Sequence, residues 1–441
     1  MSKVAILGFG IEGKSAYLYF KSLDHEITIC DNNEDLELPA GVNSQLGANY
    51  LDNLDKFDLI IRSPGVLPYS FETKTEVTTV MNEFLARARA KKIIGVTGSK
   101  GKGTTTALID EILKTADLST FLGGNIGTPP LDFINQVTVD DYVVLEMSNL
   151  QLWDIKHSPD IAVLLMITAD HMDWHRGNMD EYVAIKGNIT KFQDSNGLLI
   201  HHPSNEYVLN IARSSKARAR KFLDVQSAWV DKGMIMYQTK AICSRDEINL
   251  IGDHNLENVC AAIAASWDIL MDELGDETKT IAVLKEALKS YQGLPHRLEL
   301  ITQKGEIRFY DDSIGTTPEA TIAAIRAFNE DKALIMGGSD KGTDFDELAK
   351  VIAADKQIKS ISLIGSTTTK IKKSLLAASY SGELHEVAGN ANEVMLKAVY
   401  LANSSLAGKG VVLLAPACAS FDLFKDYQAR GEEFKNAVAS I

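Results

Sequence analysis

The chain has 441 residues, enough for about three domains and for large cores that need no disulfide or metal staples. Hydrophobic residues make up 45% and charged residues 24%, and 45 Lys+Arg against 59 Asp+Glu give a formal net charge of −14. A field of that sign repels nucleic-acid phosphate and anionic lipid, so neither is an expected partner, although local groups can still hold a small anion. Cys30, Cys243, Cys260 and Cys418 lie at no paired spacing, which argues against a zinc ribbon, a redox pair or a secreted disulfide framework. No signal-peptide pattern follows the first residues, and the longest apolar stretch, near 161–167, is far too short to span a bilayer. A soluble, cytoplasmic, multidomain protein is expected.

Short apolar runs alternate with helical patterns along the chain, which predicts an α/β protein with mostly parallel sheets. The first run, VAIL (4–7), meets Gly8-Phe9-Gly10-Ile11-Glu12-Gly13, a G-x-G-x-x-G ahead of a helix over 14–22. Asp31 closes the next strand, EITIC (26–30), where a ribose-binding carboxylate would sit. Such a loop suits a dinucleotide or another nucleotide diphosphate, because glycines let amides and a helix N-terminus approach an anion; it also suits a plain tight turn. The motif alone leaves these open.

A charged helix, EFLARARAKK (83–92), precedes a second unit of strand and glycine loop, which places a domain cut near residue 91. Strand KIIGV (92–96) runs into Thr97-Gly98-Ser99-Lys100-Gly101-Lys102-Gly103-Thr104-Thr105-Thr106 and a helix to about 116. A strict Walker pattern would have Gly at Val96 and a hydroxyl residue at Gly103. The components of a phosphate loop are nevertheless present: amide-rich glycines, a lysine for the β- and γ-phosphates, hydroxyls for magnesium, and a helix start.

Glu146 ends strand YVVLE (142–146), a position suited to magnesium downstream of a phosphate loop, although such a glutamate can also be merely solvated. Strand AVLLMI (162–167) leads to Asp170-His171-Met172-Asp173-Trp174-His175. The two histidines could be a zinc pair, but no third ligand follows at characteristic spacing. Lys186, from its neighbours alone, reads as a surface helix lysine. The stretch YQGLPHRLE (291–299) places a second cut near 296.

In the last third, three loops follow predicted strands: Asp311-Asp312-Ser313 leading to Thr316, Gly337-Gly338-Ser339-Asp340-Lys341-Gly342, and Ala415 to Asp422 through Ser420 and Phe421. C-terminal strand ends are where α/β sheets bind ligands. A helix is expected to start near Ser420, which is a good N-cap type, as is Thr316.

Taken in order, GVTGSKGKGTTT (95–106), GGNIG (123–127), EMSNLQL (146–152), ITADHMDWH (167–175), Lys186, GDHNLEN (252–258), GLPHRLE (293–299), DDSIGTTPEA (311–320), GGSDKG (337–342) and APACASFDLFKDYQARGEEF (415–434) resemble the Mur ligases. Within them the chain is most similar to the members that add D-glutamate to UDP-N-acetylmuramoyl-L-alanine in peptidoglycan synthesis. The resemblance covers essentially the whole chain. It implies three domains: 1–91, Rossmann-like and binding the UDP precursor; 92–296, a P-loop-type ATP-binding domain; and 297–441, Rossmann-like and binding the incoming amino acid.

The implied reaction is ATP-dependent ligation through an acyl phosphate, by a monomer acting on small molecules. Lys102 would contact the β- and γ-phosphates, within a loop of Gly98, Ser99, Lys100, Gly101, Gly103, Thr104 and Thr105. Two magnesium ions are implied, one held by Thr104 and Glu146 and one by His171 and Lys186, the latter carrying a carbamate made from CO2. Asn258 would approach the adenine, and Arg297 and Asp312 would hold phosphate and ribose. Gly10, Ile11, Asp31, Asn32, Ser63 and Gly65 would hold the uridine diphosphate, and Asn125 would lie by the phosphoryl site. Thr316, Lys341, Ser420 and Phe421 would bind D-glutamate, with Tyr427 nearby.

The chain departs from those members at four positions: Gly103 after Lys102, Asn149 for a usual serine, Ile314 for a frequent lysine and Tyr427 for a usual phenylalanine. The Gly103 form is similar to the folylpolyglutamate synthases and leaves the magnesium hydroxyl between Thr104 and Thr105. Another amino-acid ligase of that superfamily is therefore the nearest rival. A nicotinamide oxidoreductase and a non-catalytic nucleotide-binding module are more distant ones.

Overall fold

The computed structural model describes residues 2–170 and 172–441, so His171 lies outside the described residues. The chain divides into two compact units: one runs to Ile248 and adds Asp253–Tyr291, the other holds Asn249–Gly252 and Gln292–Ile441.

The first unit opens with β1 (Lys3–Leu7), β2 (Glu26–Asp31), β3 (Asn43–Leu46), β4 (Leu59–Arg62) and β5 (Glu76–Thr78). They form one parallel sheet in the order β3-β2-β1-β4-β5. The order reverses between β1 and β4, the switch point where doubly wound sheets open a crevice at their C-terminal edge. A second sheet holds β6 (Lys92–Thr97), β7 (Thr120–Gly124), β8 (Tyr142–Glu146), β9 (Ile161–Leu164), β10 (Leu198–His201) and β11 (Arg218–Lys221). Its order is β11-β10-β9-β6-β8-β7, again all parallel. All of β8 is buried, as is all of β9. Strands covered on both faces read as unbroken apolar runs instead of alternating ones, and for that reason they were legible as strands. A small antiparallel sheet of β12 (Ala228–Asp231), β13 (Met234–Tyr237) and β14 (Lys240–Ser244) completes the unit.

The second unit is built on β15 (Glu299–Lys304), β16 (Glu306–Asp311), β17 (Lys332–Gly337), β18 (Ile358–Ile364), β19 (Glu383–Glu386) and β20 (Lys409–Leu414), ordered β15-β16-β20-β17-β18-β19. It is parallel except for the β15–β16 hairpin, joined at Gly305 with φ +62°. Separate apolar cores cover its two faces. No helix among the described residues is long and apolar enough to cross a membrane.

Residue 91 separates two sheets but not two compact units, because Phe20, Phe84, Phe133 and Leu164 belong to one continuous core. A polar bolt reinforces that core. Arg62, at the end of β4, is fully buried and grips Asp154 with Nε at 2.9 Å and Nη2 at 2.7 Å. It also donates to the carbonyls of Ser63, Val66 and Leu150, so one guanidinium ties the first sheet to the segment after β8. Truncating one partner of a buried charge pair typically costs about 3–5 kcal/mol. Arg62→Ala is expected to destabilise the first unit by about that much. All four tryptophans lie in this unit (153, 174, 229 and 267), so fluorescence-detected urea unfolding reads it directly. An unchanged midpoint would remove Arg62 from the bolt.

Candidate active site

The first glycine loop is a turn from β1 into the helix Ile11–Ser22, which starts three residues earlier than its apolar pattern suggested. Gly8 has φ +81°, and a Cβ on Gly13 would lie 2.1 Å from the Gly8 carbonyl oxygen, so this motif needs its glycines to bring helix and strand together. Ser63 Oγ donates to that same carbonyl at 2.7 Å. Asp31 Oδ2 accepts from Phe9 N at 2.7 Å and Oδ1 from Asn33 N at 2.9 Å, so its carboxylate braces the loop. Gly10, Ile11, Asp31, Asn32, Ser63 and Gly65 all line one cavity of about 370 Å³ at the switch point. The structure therefore brings that whole predicted set together.

The second glycine loop joins β6 to the helix Lys102–Thr115. Gly101 is left-handed with φ +85°, and a Cβ there would lie 2.2 Å from Asn258 Oδ1. Asn258, expected beside an adenine, thus sits beneath the loop: it is buried, accepts from Thr105 Oγ1 at 3.3 Å and donates to Asn255 Oδ1 at 2.9 Å. With the Thr105 hydroxyl directed at Asn258, the Thr104 hydroxyl makes no hydrogen bond with the described residues. Gly103 continues the helix, which moves the first hydroxyl one residue along. Ser99 Oγ donates to the Thr168 carbonyl at 2.7 Å and meets Tyr182 Oη at 2.9 Å, which fixes the loop from below. Lys100 is exposed on the loop.

Two lysines converge on one backbone oxygen. Lys102 Nζ donates to the carbonyls of Gly98 at 3.1 Å and Ser99 at 3.0 Å, and Lys186 Nζ donates to the Gly98 carbonyl at 3.0 Å. Lys186 is 1% exposed, its ammonium 4.7 Å from the Tyr182 ring. Burial, joined by repulsion from Lys102, pulls its pKa down to about 7 against the pull of Asp170 and Glu146. The surface-lysine reading is thereby corrected: helix Met179–Gly187 turns this residue inward. Glu146 is buried at the end of β8, where Asn125 Nδ2 donates to its Oε1 at 2.6 Å. Carboxylate and hydroxyl oxygens of this kind are the donor set that magnesium prefers, and the buried Thr97 Oγ1 at the end of β6 has no partner among the described residues. The site fits a hard cation.

His175, the second histidine of that pair, is buried. Asn149 Nδ2 lies 2.6 Å from His175 Nε2, and His175 Nδ1 faces Glu181 Oε2 at 3.3 Å. Trp153 stacks on the ring at 4.9 Å. Sequence reasoning passed over Tyr182, although its place four residues before Lys186 puts both on one helix face.

In the second unit, helix Pro318–Arg326 is capped by Thr317, not by Thr316, whose side chain is left half-exposed at the turn. Asp312 is buried and accepts from Leu298 N at 3.1 Å; burial raises its pKa to about 7, with the exposed Arg297 pulling it back. The loops after β17 and β20 pair through Ser339 N to the Ala419 carbonyl at 2.8 Å, and a Cβ on Gly338 would lie 2.1 Å from that carbonyl oxygen. Lys341 Nζ stands 5.3 Å from the Phe421 ring, and Ser420 is buried.

The helix expected from Ser420 begins instead at Tyr427, capped by Asp426, because residues 421–426 form turns. Arg430 explains that geometry. It is fully buried and donates to Ser313 Oγ, the Ser313 carbonyl and the Cys418 carbonyl at 2.9, 2.7 and 2.9 Å, which holds the helix end against two loops. Ser313 Oγ in turn donates to the Tyr427 carbonyl at 2.7 Å, and the Tyr427 ring lies 6.0 Å from His296. An arginine beside a glycine in an otherwise amphipathic helix was the available signal for this knot.

Residues 96–266 match the Mur ligase middle domain family, and residues 296–418 match the Mur ligase, glutamate ligase domain. The chain is 33% identical to the UDP-N-acetylmuramoylalanine–D-glutamate ligase of Clostridium tetani, over 100% of this chain and 97% of that one. Among solved structures it is similar in fold to the UDP-N-acetylmuramate–alanine ligase MurC of Thermotoga maritima (TM-score 0.61, 18% identity, 100% of both chains). It is also similar to the MurF ligase of Thermotoga maritima in complex with ADP (TM-score 0.57, 18% identity, 99% and 94% covered).

Proposed function

The chain belongs to the Mur ligase family, and from that premise we propose that it joins D-glutamate to UDP-N-acetylmuramoyl-L-alanine at the expense of ATP. The observation that carries this reading is the pair of lysines on the Gly98 carbonyl, one at the head of a phosphate loop and one buried with a near-neutral amine. A nucleotide-binding loop alone has no need of the second.

Lys102 and the loop amides would neutralise charge on the transferring phosphoryl group as the L-alanine carboxylate attacks it. The acyl phosphate so formed would be opened by the amine of D-glutamate, with phosphate leaving. Magnesium, when bound, supplies further charge neutralisation, with Thr104 and Glu146 as holders of one ion. His171 and Lys186, the latter as a CO2-derived carbamate, would hold a second. A neutral, buried amine is the form of lysine that reacts with CO2, so Lys186 fits that modification. Asn125 would fix the unshared geometry of Glu146 and face the phosphoryl site. The cavity of Gly10, Ile11, Asp31, Asn32, Ser63 and Gly65 would take the uridine diphosphate through backbone amides. On the second unit, Arg297 and Asp312 would meet the nucleotide, and Thr316, Lys341, Ser420 and Phe421, with Tyr427 near, would bind D-glutamate.

The direct test is phosphate release from ATP with UDP-N-acetylmuramoyl-L-alanine and a panel of D- and L-amino acids. Release that requires both the UDP substrate and D-glutamate supports the reading; release without either, or with another amino acid preferred, overturns it.

Lys341 and Ser420 give a second expectation. Loss of a hydrogen bond to a charged group costs about 1.5–3 kcal/mol, or roughly 10- to 100-fold. Lys341→Ala and Ser420→Ala should therefore raise the D-glutamate KM by that factor while moving the ATP KM far less. Equal effects on both substrates would refute the assignment.

A further inference from the structure

The cavity on the first sheet is lined by two carboxylates, Glu12 and Asp31, and by no lysine or arginine. Asp31 accepts from two backbone amides, one at each carboxylate oxygen. Glu12 differs. Its Oε1 accepts from Gln151 Nε2 at 2.6 Å, while Oε2 is buried and has no partner among the described residues. Gln151 cannot turn to serve it, because its own Oε1 accepts from Ser148 N at 2.8 Å. Burial raises the Glu12 pKa to about 7, the Gln151 hydrogen bond and the Arg62 charge opposing the rise.

Helix Ile11–Ser22 itself carries Lys14, Tyr17, Tyr19 and Lys21, and it packs on several elements with charged groups. These are Lys3 on β1, Glu26 and Asp31 on β2, Arg62 on β4, Asp132 in the turn Pro130–Asp132, and Glu83 and Arg87 on helix Val80–Arg87. Of these, Arg62 is the one whose charge acts on Glu12, and its guanidinium is already bonded to Asp154.

A diphosphate placed in this cavity would therefore face a second anion with no lining cation between them, in surroundings where like charges repel strongly. We propose that an anionic ligand enters this cavity with Glu12 as the neutral acid, so that filling the cavity takes up one proton from solvent onto the partnerless Oε2. No bond to the ligand is made or broken in that step. The proposal rests on the reading of this cavity as the uridine diphosphate site. It gives Glu12 a role in tuning ligand affinity with pH, and it links that tuning, through Gln151 and Ser148, to the segment that follows Glu146.

The test is calorimetric titration of the whole protein with UDP-N-acetylmuramoyl-L-alanine, whose diphosphate and carboxylate stay ionised between pH 6 and pH 8.5. A ligand that needs the protonated fraction should bind about 10- to 30-fold more weakly at pH 8.5 than at pH 6. Paired buffers of different ionisation enthalpy should show an uptake approaching one proton above pH 7. Glu12→Gln, which keeps the shape and the bond to Gln151, should bind at pH 6 within about threefold of wild type and lose the slope. A flat wild-type profile with no proton uptake overturns the proposal, as does a slope that persists in Glu12→Gln. Absence of binding by both proteins at every pH would instead overturn the reading of the cavity itself, and the proposal with it.

Discussion

Lys186→Ala is expected to lower ligation by about 100-fold or more, the usual scale for losing an electrostatic or metal-orienting group in a buried site. The fold should survive. The amine donates to the Gly98 carbonyl, and Lys102 still donates to that oxygen in the variant. The loss should therefore appear in turnover and not in unfolding. If the working form is a carbamate, acetate or formate added to Lys186→Ala should restore part of the rate, because a small carboxylate can supply the missing anionic oxygens in the space vacated.

The sign of the pH effect follows from the depressed pKa. Above about pH 7 the Lys186 amine is mostly neutral and can react with CO2, whereas below it the ammonium form cannot. Wild-type enzyme depleted of CO2 should regain activity with bicarbonate, and the bicarbonate needed should rise as the pH falls below 7. Wild-type turnover in Lys186→Ala, or indifference of the depleted enzyme to bicarbonate, would sink the carbamate.

How much of this was legible depends on what each residue type reports. Parallel strands buried on both faces announced themselves as apolar runs, so β1, β6, β8, β17 and β20 were visible in the sequence. The loops after them were visible too, because glycine and proline punctuate them. Strands β11 (RARK) and β19 (ELHE) were not, since they sit at sheet edges and carry polar residues. Chemistry was hardest to read where burial decides it. Lys186 looks like any helix lysine until helix Met179–Gly187 is packed with that face inward, and the same holds for Glu12 and Asp312, whose raised pKa values come from desolvation. Order along the chain supplied what single residues could not: ten segments in family sequence implied a role for Lys186 that its neighbours argue against. The resemblance could not foresee Arg62 or Arg430, which are buried scaffold arginines defined by carbonyls brought together from distant segments.

Lys102→Ala is expected to cost about 100- to 1000-fold in ATP-dependent phosphate release, the scale for removing one preorganised charge from a phosphoryl-transfer site. Lys102 is the first residue of helix Lys102–Thr115, directly after the left-handed Gly101, so its side chain folds back across the loop to the carbonyls of Gly98 and Ser99. Arginine should rescue little, because its planar fork does not reproduce a compact ammonium in that position. The structure adds a second consequence. Part of what holds the Lys186 pKa near 7 is repulsion from Lys102, so Lys102→Ala should let that pKa rise, although burial, the larger cause, remains. The variant should then need more bicarbonate, or a higher pH, to reach its own maximum.

Two groups that act on one centre are not additive. The double variant Lys102→Ala/Lys186→Ala should therefore be scarcely slower than the worse of the two single variants. Single-turnover phosphate release with saturating ATP separates these outcomes from a simple loss of nucleotide affinity. If Lys102→Ala keeps turnover within about threefold, or if the two losses multiply in full, the lysines do not share one phosphoryl site.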